Sequence, residues 1–209
     1  MSDKKVIGLT GLYCAGKNHV GLLLEQRGIP VLDVDKLGYR VIETVKERLL
    51  TRFGMDILDS GGAVDRKLLG AKVYGKPAEL AALEDIIHPA VNRETLDWIK
   101  AREEKVCVIN AALLHRSSAF ASLDAIILVE APFFIRLLRA RKRDGLPWTA
   151  IFKRFMSQSK FYAQYFEGKT DIYRVSNPSG CPNSGAGTGF KRKKPENRID
   201  EILSLLGIT

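Results

Sequence analysis

Short apolar runs alternate with stretches of helical spacing in the first part of the chain, which indicates an α/β protein. A β-rich apolar run over 5–10 is followed by a glycine-containing loop and a helical pattern over 18–27, which Gly28 is expected to end. A second apolar run over 29–35 ends in two acids. Because a strand, loop, helix and strand in this order form a βαβ unit, the pattern predicts a parallel sheet.

The middle of the chain, 36–102, has mostly helical spacing and no strand pattern. The predicted elements are a helix over 36–53, a turn-rich loop over 54–64, a short helix that starts at Arg66 behind an Asp65 cap, and helices over 77–88 and 90–102. Pro89 separates the last two helices because proline lacks the N–H that continues a helix. The stretch is longer than a simple crossover helix, so we expect a helical insertion on the sheet.

The remaining chain returns to the α/β pattern. The predicted elements are strands over 106–111 and 125–130, an arginine-rich helix that Pro132 opens and Gly145 ends, a helix over 147–165, a strand over 171–175, an irregular loop over 176–189 and an amphipathic helix over 197–206. All of these patterns together predict an α/β fold, a parallel sheet of about five strands with flanking helices.

The composition is typical of an ordinary folded protein. Of 209 residues, 45% are apolar and 27% are charged, which excludes disordered and fibrous classes. No apolar run approaches the roughly 20 residues of a membrane helix, and the first residues lead into a strand-like run rather than a signal-peptide core. The cysteines, Cys14, Cys107 and Cys181, form no CxxC pair, so we expect neither a disulfide framework nor a zinc site. These features predict a reduced, cytoplasmic protein without a membrane partner.

The charge is strongly positive, with 33 Lys and Arg against 24 Asp and Glu, a net +9. Such an excess favours anionic partners in general: phosphate substrates, nucleic acid or acidic membrane surfaces. The basic run 191–194 lies next to a Gly-rich segment without interleaved aromatics, so we favour a solvated face over a nucleic-acid site. A nucleic-acid-binding protein that uses this basic tail remains an alternative.

The strongest chemical motif is the pattern Gly11-x-x-x-x-Gly16-Lys17, which follows a predicted strand and precedes a predicted helix. In such a loop, backbone N–H groups and the helix dipole bind phosphates, and the lysine reaches the β- and γ-phosphates. The alternative is a glycine-rich turn with a solvated lysine. The strand and helix on either side favour a true phosphate loop, so the predicted sheet is of the P-loop NTPase type.

Two loop positions depart from the usual pattern. Asn18 stands where a Ser or Thr hydroxyl would bind Mg²⁺, so the cation site is weaker or the metal is carried mostly by nucleotide and water. Cys14 occupies a position where N–H groups could lower a thiol pKa, although a small residue tolerated at a variable position is the favoured interpretation.

Asp33 and Asp35 end the second predicted strand, at the carboxyl edge where α/β sheets bind ligands. Two residues apart in a strand, they would point the same way, and either could be a base or hold Mg²⁺ through water. The structural alternative is a helix cap, which is more plausible for Asp35 than for Asp33.

Arg136, Arg139 and Arg143 recur at helical spacing and can share one face. One interpretation is a lid that closes over the triphosphate and supplies charge in the transition state. The other is a solvated basic face. For Arg139 and Arg143 we favour the lid.

These residues together resemble one family, the dephospho-CoA kinases, P-loop enzymes that phosphorylate the ribose 3′-hydroxyl of dephospho-CoA with ATP. The similar segments are Gly8 to Lys17 (GLTGGIGSGKST in the family), Asp33 to Asp35 (DAD), Gly62 to Arg66 with Leu69, Val73 and Tyr74, Leu83 to Pro89 (LExIxHP), the lid residues Arg139, Arg143, Asp144, Gly145, Arg154 and Gln158, and Ser176 with Asn177. The LExIxHP segment is far more specific than a phosphate loop. The resemblance extends over nearly the whole chain up to Gly180.

The resemblance implies a role for each matching residue. Catalysis is assigned to Asp33 as the base, with Lys17, Arg139 and Arg143 as the positive groups. The implied ATP-binding residues are Gly11, Cys14, Ala15, Gly16, Lys17, Asn18, His19, Arg143 and Asn177. Asp33, Arg66 and His88 are expected on the acceptor side. ATP would carry Mg²⁺, with Asn18 and, through water, Asp35 as candidate ligands. The implied partners are ATP and dephospho-CoA, which are both polyanions.

The resemblance also implies a domain division. A nucleotide-binding core is expected over 1–35, 104–138 and 170–209, with a CoA-binding helical insertion over 36–103 and a lid over 139–169. Ala112 stands in place of a proline, Arg116 in place of an acid and Arg136 in place of a glutamine, and 181–194 is an extra loop. A diverged kinase for another nucleotide-like acceptor, or a catalytically weakened relative, therefore remains an alternative.

Overall fold

A computed structural model describes residues 4–114, 117, 119–162, 170–178 and 194–208, with side chains from 158 to 162 left out. Its described residues divide into two compact units, one within 1–32, 103–116 and 120–209, the other within 33–102 and 117–119. The first contains nearly all of a five-stranded sheet, and the second is helical.

The sheet is formed by strands β1 (Lys5–Gly11), β2 (Val31–Asp33), β3 (Val106–Asn110), β4 (Ala125–Glu130) and β5 (Asp171–Ser176). Their order is β2-β3-β1-β4-β5, and β1 pairs in parallel with both β3 and β4, as β4 does with β5. Central strands buried on both faces read as continuous apolar runs, which is why their positions follow from the sequence. The predicted parallel sheet of five strands is confirmed.

The helices of the first unit are α1 (Lys17–Glu25), α6 (Phe133–Asp144), α7 (Trp148–Tyr162) and α8 (Pro195–Leu205). Side chains from α1 and α8 pack with the strands in one apolar core that includes Leu24, Ile127 and Ile202. A smaller cluster joins α6 and α7 to the loop after β1. Gly145 ends α6 in a left-handed conformation, as its position in the sequence predicts.

The second unit contains helices α2 (Val34–Thr44), α3 (Lys46–Phe53), α4 (Arg66–Val73) and α5 (Pro77–Lys100), with a short 3₁₀ turn at Met55–Ile57. Asp65 caps α4 by accepting from the N–H groups of Lys67 and Leu68, which confirms the predicted cap. The segment predicted as one helix over 36–53 is two helices, because Val45 leaves helical geometry between them.

Pro89 does not break its helix. The expected division into 77–88 and 90–102 is wrong, since α5 runs continuously through Pro89. An internal proline costs about 3 kcal/mol, because it supplies no N–H to one carbonyl of the preceding turn, here that of Asp85. Arg48 donates to the carbonyl of Ile86 in that turn at 3.5 Å, and α5 is buried on both sides of the proline, at Ile86 and Thr95. We attribute the continuity of α5 to this burial on both sides of Pro89.

The second predicted strand is shorter than expected. β2 ends at Asp33, and Val34 and Asp35 belong to the first turn of α2. Asp33 is the N-cap of α2, and its Oδ1 accepts the N–H of Lys36 at 3.1 Å. The expectation that both acids point the same way from a strand is therefore wrong, and so is the choice of Asp35 over Asp33 as the cap. An Asp that ends a strand and caps the next helix satisfies both local preferences.

Candidate active site

The loop between β1 and α1 has the backbone of a phosphate loop. Gly16 has φ +94° and Cys14 has φ +59°, a left-handed conformation that is rare in residues other than glycine. Gly11 lies so close to β4 that an added Cβ would be 2.7 Å from the carbonyl oxygen of Val129. Because α1 begins at Lys17, its first N–H groups are directed at this loop, where an anion would be stabilised.

A buried amide connects the two residues that end the motif. Lys17 Nζ donates to Asn110 Oδ1 at 3.0 Å, and Asn110 Nδ2 donates to Asn18 Oδ1 at 3.1 Å. Asn110 is the last residue of β3 and is 3% exposed. The side chains of Lys17 and Asn18 are therefore both fixed to a central strand.

Carbonyl groups on the other side of the loop accept hydrogen bonds from arginines of α6 and from Asn177, the residue after β5. Arg139 Nη1 donates to the carbonyls of Cys14 at 3.2 Å and Ala15 at 3.0 Å, and its Nη2 reaches the carbonyl of Asn177 at 3.1 Å. Asn177 Nδ2 donates to the Ala15 carbonyl at 3.0 Å. Arg136 donates to the Tyr13 carbonyl at 3.4 Å. Of the predicted arginine face, Arg136 and Arg139 therefore bind loop backbone, whereas Arg143 bonds to the carboxylate of Asp144.

Tyr13, at the centre of the loop, joins α6 to α7. Its hydroxyl hydrogen-bonds to Asp144, which also accepts from Arg143 Nε at 2.7 Å and Arg154 Nη1 at 2.9 Å. The Tyr13 ring packs edge to face on Phe155 at 5.3 Å. The hydrogen bonds from Arg143, followed by that from Tyr13, hold the pKa of Asp144 at about 2 despite its burial.

The Cys14 thiol has its pKa raised, because burial outweighs the nearby arginine charges. The lowered pKa considered from the sequence is therefore wrong. Burial also lowers the pKa of Arg139, although an arginine stays charged at neutral pH.

The predicted ATP-binding residue His19 is exposed in the first turn of α1, and the second unit contains Asp35 and the predicted acceptor-side residues. Asp33 pairs with Lys36, whose ammonium is 3.7 Å from Oδ2, and its side chain is 19% exposed. Arg66 stacks over the exposed ring of Tyr39 at 4.5 Å. Asp35 is exposed in the first turn of α2, and His88 is half-buried in α5. Arg116 and the loop 181–193 lie outside the described residues, so nothing is added to their predictions.

The sequence analysis did not identify three residues of the site: Asn110, Tyr13 and Asp144, the last as the hydrogen-bond partner of Tyr13. Asn110 carried a usable signal, because a polar residue at the carboxyl end of an apolar strand next to a phosphate loop is placed for ligand chemistry. Tyr13 and Asp144 could not be paired without the packing of α6 and α7.

Comparisons with known proteins show the family of the chain. The family model described as dephospho-CoA kinase matches residues 5–165. The dephospho-CoA kinase of Treponema denticola is 31% identical over 187 residues, 84% of this chain and 83% of that protein. That of Anaeromyxobacter dehalogenans is 37% identical over 148 residues, 68% of this chain and 70% of that protein.

Solved structures give the same result for the fold. A Thermus thermophilus protein has a TM-score of 0.74 at 27% identity, covering 98% of this chain and 97% of its own. The Campylobacter jejuni dephospho-CoA kinase shares the fold at a TM-score of 0.59 and 19% identity, with 98% of this chain and 97% of its own covered. Among the helices of the described segments, none has the length and apolarity to cross a bilayer. With a phosphate loop in place and a family model matched over most of its length, the chain belongs to the dephospho-CoA kinase family.

Proposed function

We propose that this protein transfers the γ-phosphoryl group of ATP to the ribose 3′-hydroxyl of dephospho-CoA, which gives CoA and ADP. The observation that carries the proposal is the phosphate loop whose Lys17 is held 3.0 Å from buried Asn110, in a chain of the dephospho-CoA kinase family. Phosphoryl transfer depends mainly on positioning and on stabilising charge, and this loop supplies both.

ATP binds with its phosphates on the loop from Gly11 to His19. Lys17 extends to the β- and γ-phosphates, and the N–H groups at the start of α1 stabilise their charge. Arg139 and Arg143 add positive charge beside the loop, and Asn177, the residue after β5, hydrogen-bonds to the loop. The bonds of Arg139 to the loop carbonyls support a second contribution, in which this arginine fixes the loop conformation. The lid is the segment 139–169, which begins within α6 and includes α7.

Asp33 accepts the proton of the acceptor hydroxyl. The N–H of Lys36 donates to Oδ1 and the Lys36 ammonium pairs with Oδ2, so the carboxylate is held in one orientation at the start of α2. A fixed acceptor oxygen is what a general base requires. Arg66 and His88, in the same unit, bind the acceptor. Dephospho-CoA and ATP are both anionic, which agrees with the net charge of +9.

The residues fit a Mg²⁺ that the nucleotide carries. Among the described residues, no cluster of three His, Cys, Asp or Glu side chains could hold a metal alone. Asn18 offers one amide oxygen that already accepts from Asn110 and has a second lone pair, and Asp35 can act through water. Mg²⁺ bound through phosphates and waters needs few protein ligands. When bound, the cation would neutralise charge on the β- and γ-phosphates.

The test is to incubate the protein with ATP, Mg²⁺ and dephospho-CoA and to measure ADP and the mass of the acceptor. We expect one phosphate added per ADP formed. Asp33→Asn should lower kcat by about a hundredfold or more, as loss of a general base does, and the exposed Asp97→Asn serves as matched control. ATP binding without transfer to dephospho-CoA would instead support a diverged kinase, and other nucleotide-like acceptors would then be screened.

A further inference from the structure

We propose that Asn110 is a positioning residue whose single neutral amide holds both Lys17 and Asn18 without placing a negative charge beside the Lys17 ammonium. The inference rests on the proposed ATP-binding function of the loop. It does not depend on which acceptor receives the phosphate.

The position of Asn110 is fixed by the sheet. It ends β3 in register with Leu9 of β1, and the N–H of the next residue, Ala111, donates to the Leu9 carbonyl at 3.0 Å. Its side chain is almost completely buried, at 3% exposure. A buried polar group that lost its partners would cost about 1–3 kcal/mol, so the two contacts to the loop are strongly favoured.

The amide of Asn110 satisfies both neighbours, because it has an acceptor and a donor. The Lys17 ammonium donates and cannot accept, so it binds the amide oxygen. The NH₂ group of Asn110 is then directed to the oxygen of Asn18, which fixes the orientation of that side chain too. A carboxylate would keep the contact to Lys17 and lose the donor to Asn18, whereas an alanine would lose both.

The charge at position 110 determines what Lys17 offers to a phosphate. A carboxylate at the same distance would form an ion pair with the ammonium, and it would also repel the phosphate oxygens at close range. The neutral amide orients the ammonium without neutralising it. Nucleotide affinity in the absence of metal should therefore be sensitive to charge at position 110 as well as to size.

The experiment measures ATP binding in EDTA by titration calorimetry, with the wild type, Asn110→Ala and Asn110→Asp. Thr95→Val is the matched control, since Thr95 is buried at 1% exposure and bonds to a carbonyl of its own helix in the other unit. We expect the dissociation constant to rise about fivefold in the Ala variant and about fiftyfold in the Asp variant, with no change in the control. With Mg²⁺, Asn110→Ala should raise the KM for ATP more than it lowers kcat.

A purely structural role for Asn110 predicts a different result. Both variants would then unfold at lower temperature while the folded fraction bound ATP as the wild type does, and this would overturn the proposal. Equal weakening of ATP binding by the Ala and Asp substitutions would contradict the charge argument, as would a wild type that does not bind ATP without metal.

If the Ala variant does not fold, the near-isosteric Asp variant alone tests the proposal. A wild type that binds ATP in EDTA but does not phosphorylate dephospho-CoA would refute the proposed function and leave this inference standing.

Discussion

Gly16 and Asn177 approach so closely that a Cβ on Gly16 would lie 2.2 Å from Nδ2 of Asn177. Asn177 is 2% exposed and is held by its own N–H, which donates to the Glu130 carbonyl at 2.7 Å. Asn177, directly after β5, therefore leaves no room for a side chain at position 16. The glycine of the motif is required by this contact as well as by its φ of +94°.

Gly16→Ala should abolish detectable ATP binding, because the loop must move away from Asn177 to accept a methyl group. Gly28→Ala is the matched control, since Gly28 also has a positive φ, of +75°, but has no atom within 4 Å of an added Cβ. We expect the control to lose about 1 kcal/mol of stability at most and to bind ATP normally. The measurement is equilibrium ATP binding together with thermal unfolding. Equal loss of binding in both variants would mean that backbone strain alone causes the defect.

Arg139→Lys should raise the KM for ATP about as much as Arg139→Ala does. Lysine keeps the charge, but one ammonium cannot reproduce the planar set of donors that reaches three carbonyls. Steady-state kinetics of the two variants separate the role of the charge from that of the planar donors. The exposed Lys142→Ala serves as control. If the Lys variant keeps near wild-type activity, Arg139 acts through its charge alone.

Asp144→Asn should destabilise the protein at neutral pH by about 1 kcal/mol, a value reduced for the solvent exposure of its arginine partners. The folded-state pKa of Asp144, about 2, lies below its ordinary value of 3.8. Its contribution to stability is therefore complete above pH 3.8 and is lost as the pH falls toward 2. Denaturant unfolding at several pH values should show the wild type and the variant converging over that range. A difference that stays constant with pH would refute the contribution of this ionised group.

Asn18→Ser should tighten the dependence of ATP turnover on Mg²⁺, so that half-maximal turnover is reached at a lower Mg²⁺ concentration. The reason is that a hydroxyl at this position is the usual ligand of the nucleotide's cation. The measurement is a Mg²⁺ titration of activity at fixed ATP. His19→Ala adds a comparison at the neighbouring exposed position. An unchanged Mg²⁺ requirement in the Ser variant would remove position 18 from the metal site.

The fold was largely predictable, because its central strands are short apolar runs and its loop motif is local. The errors lie where two local preferences compete. Asp33 ends a strand and caps a helix at once, so the boundary between β2 and α2 could not be placed from propensity. Pro89 favours a break that interactions of α5 on both sides override.

The site was predictable where it depends on spacing along the chain, and not where it depends on packing. The spacing of Arg136, Arg139 and Arg143 predicts a shared helix face, but its contacts depend on how α6 packs. Backbone carbonyls carry no sequence signal, so the bonds of Arg139 to the loop could not be foreseen. The link from Lys17 through Asn110 joins residues 93 apart in the chain, and only the parallel register of β1 and β3 brings them together.

The most direct test of the proposed reaction compares three acceptors: dephospho-CoA, its 3′-deoxyribose analogue and its 2′-deoxyribose analogue, each with ATP and Mg²⁺. The product is followed by mass and by the ADP released. We predict that dephospho-CoA and the 2′-deoxy analogue each gain one phosphate, and that the 3′-deoxy analogue gains none. Phosphorylation of the 3′-deoxy analogue, or ADP formation without any change in dephospho-CoA, would contradict the account.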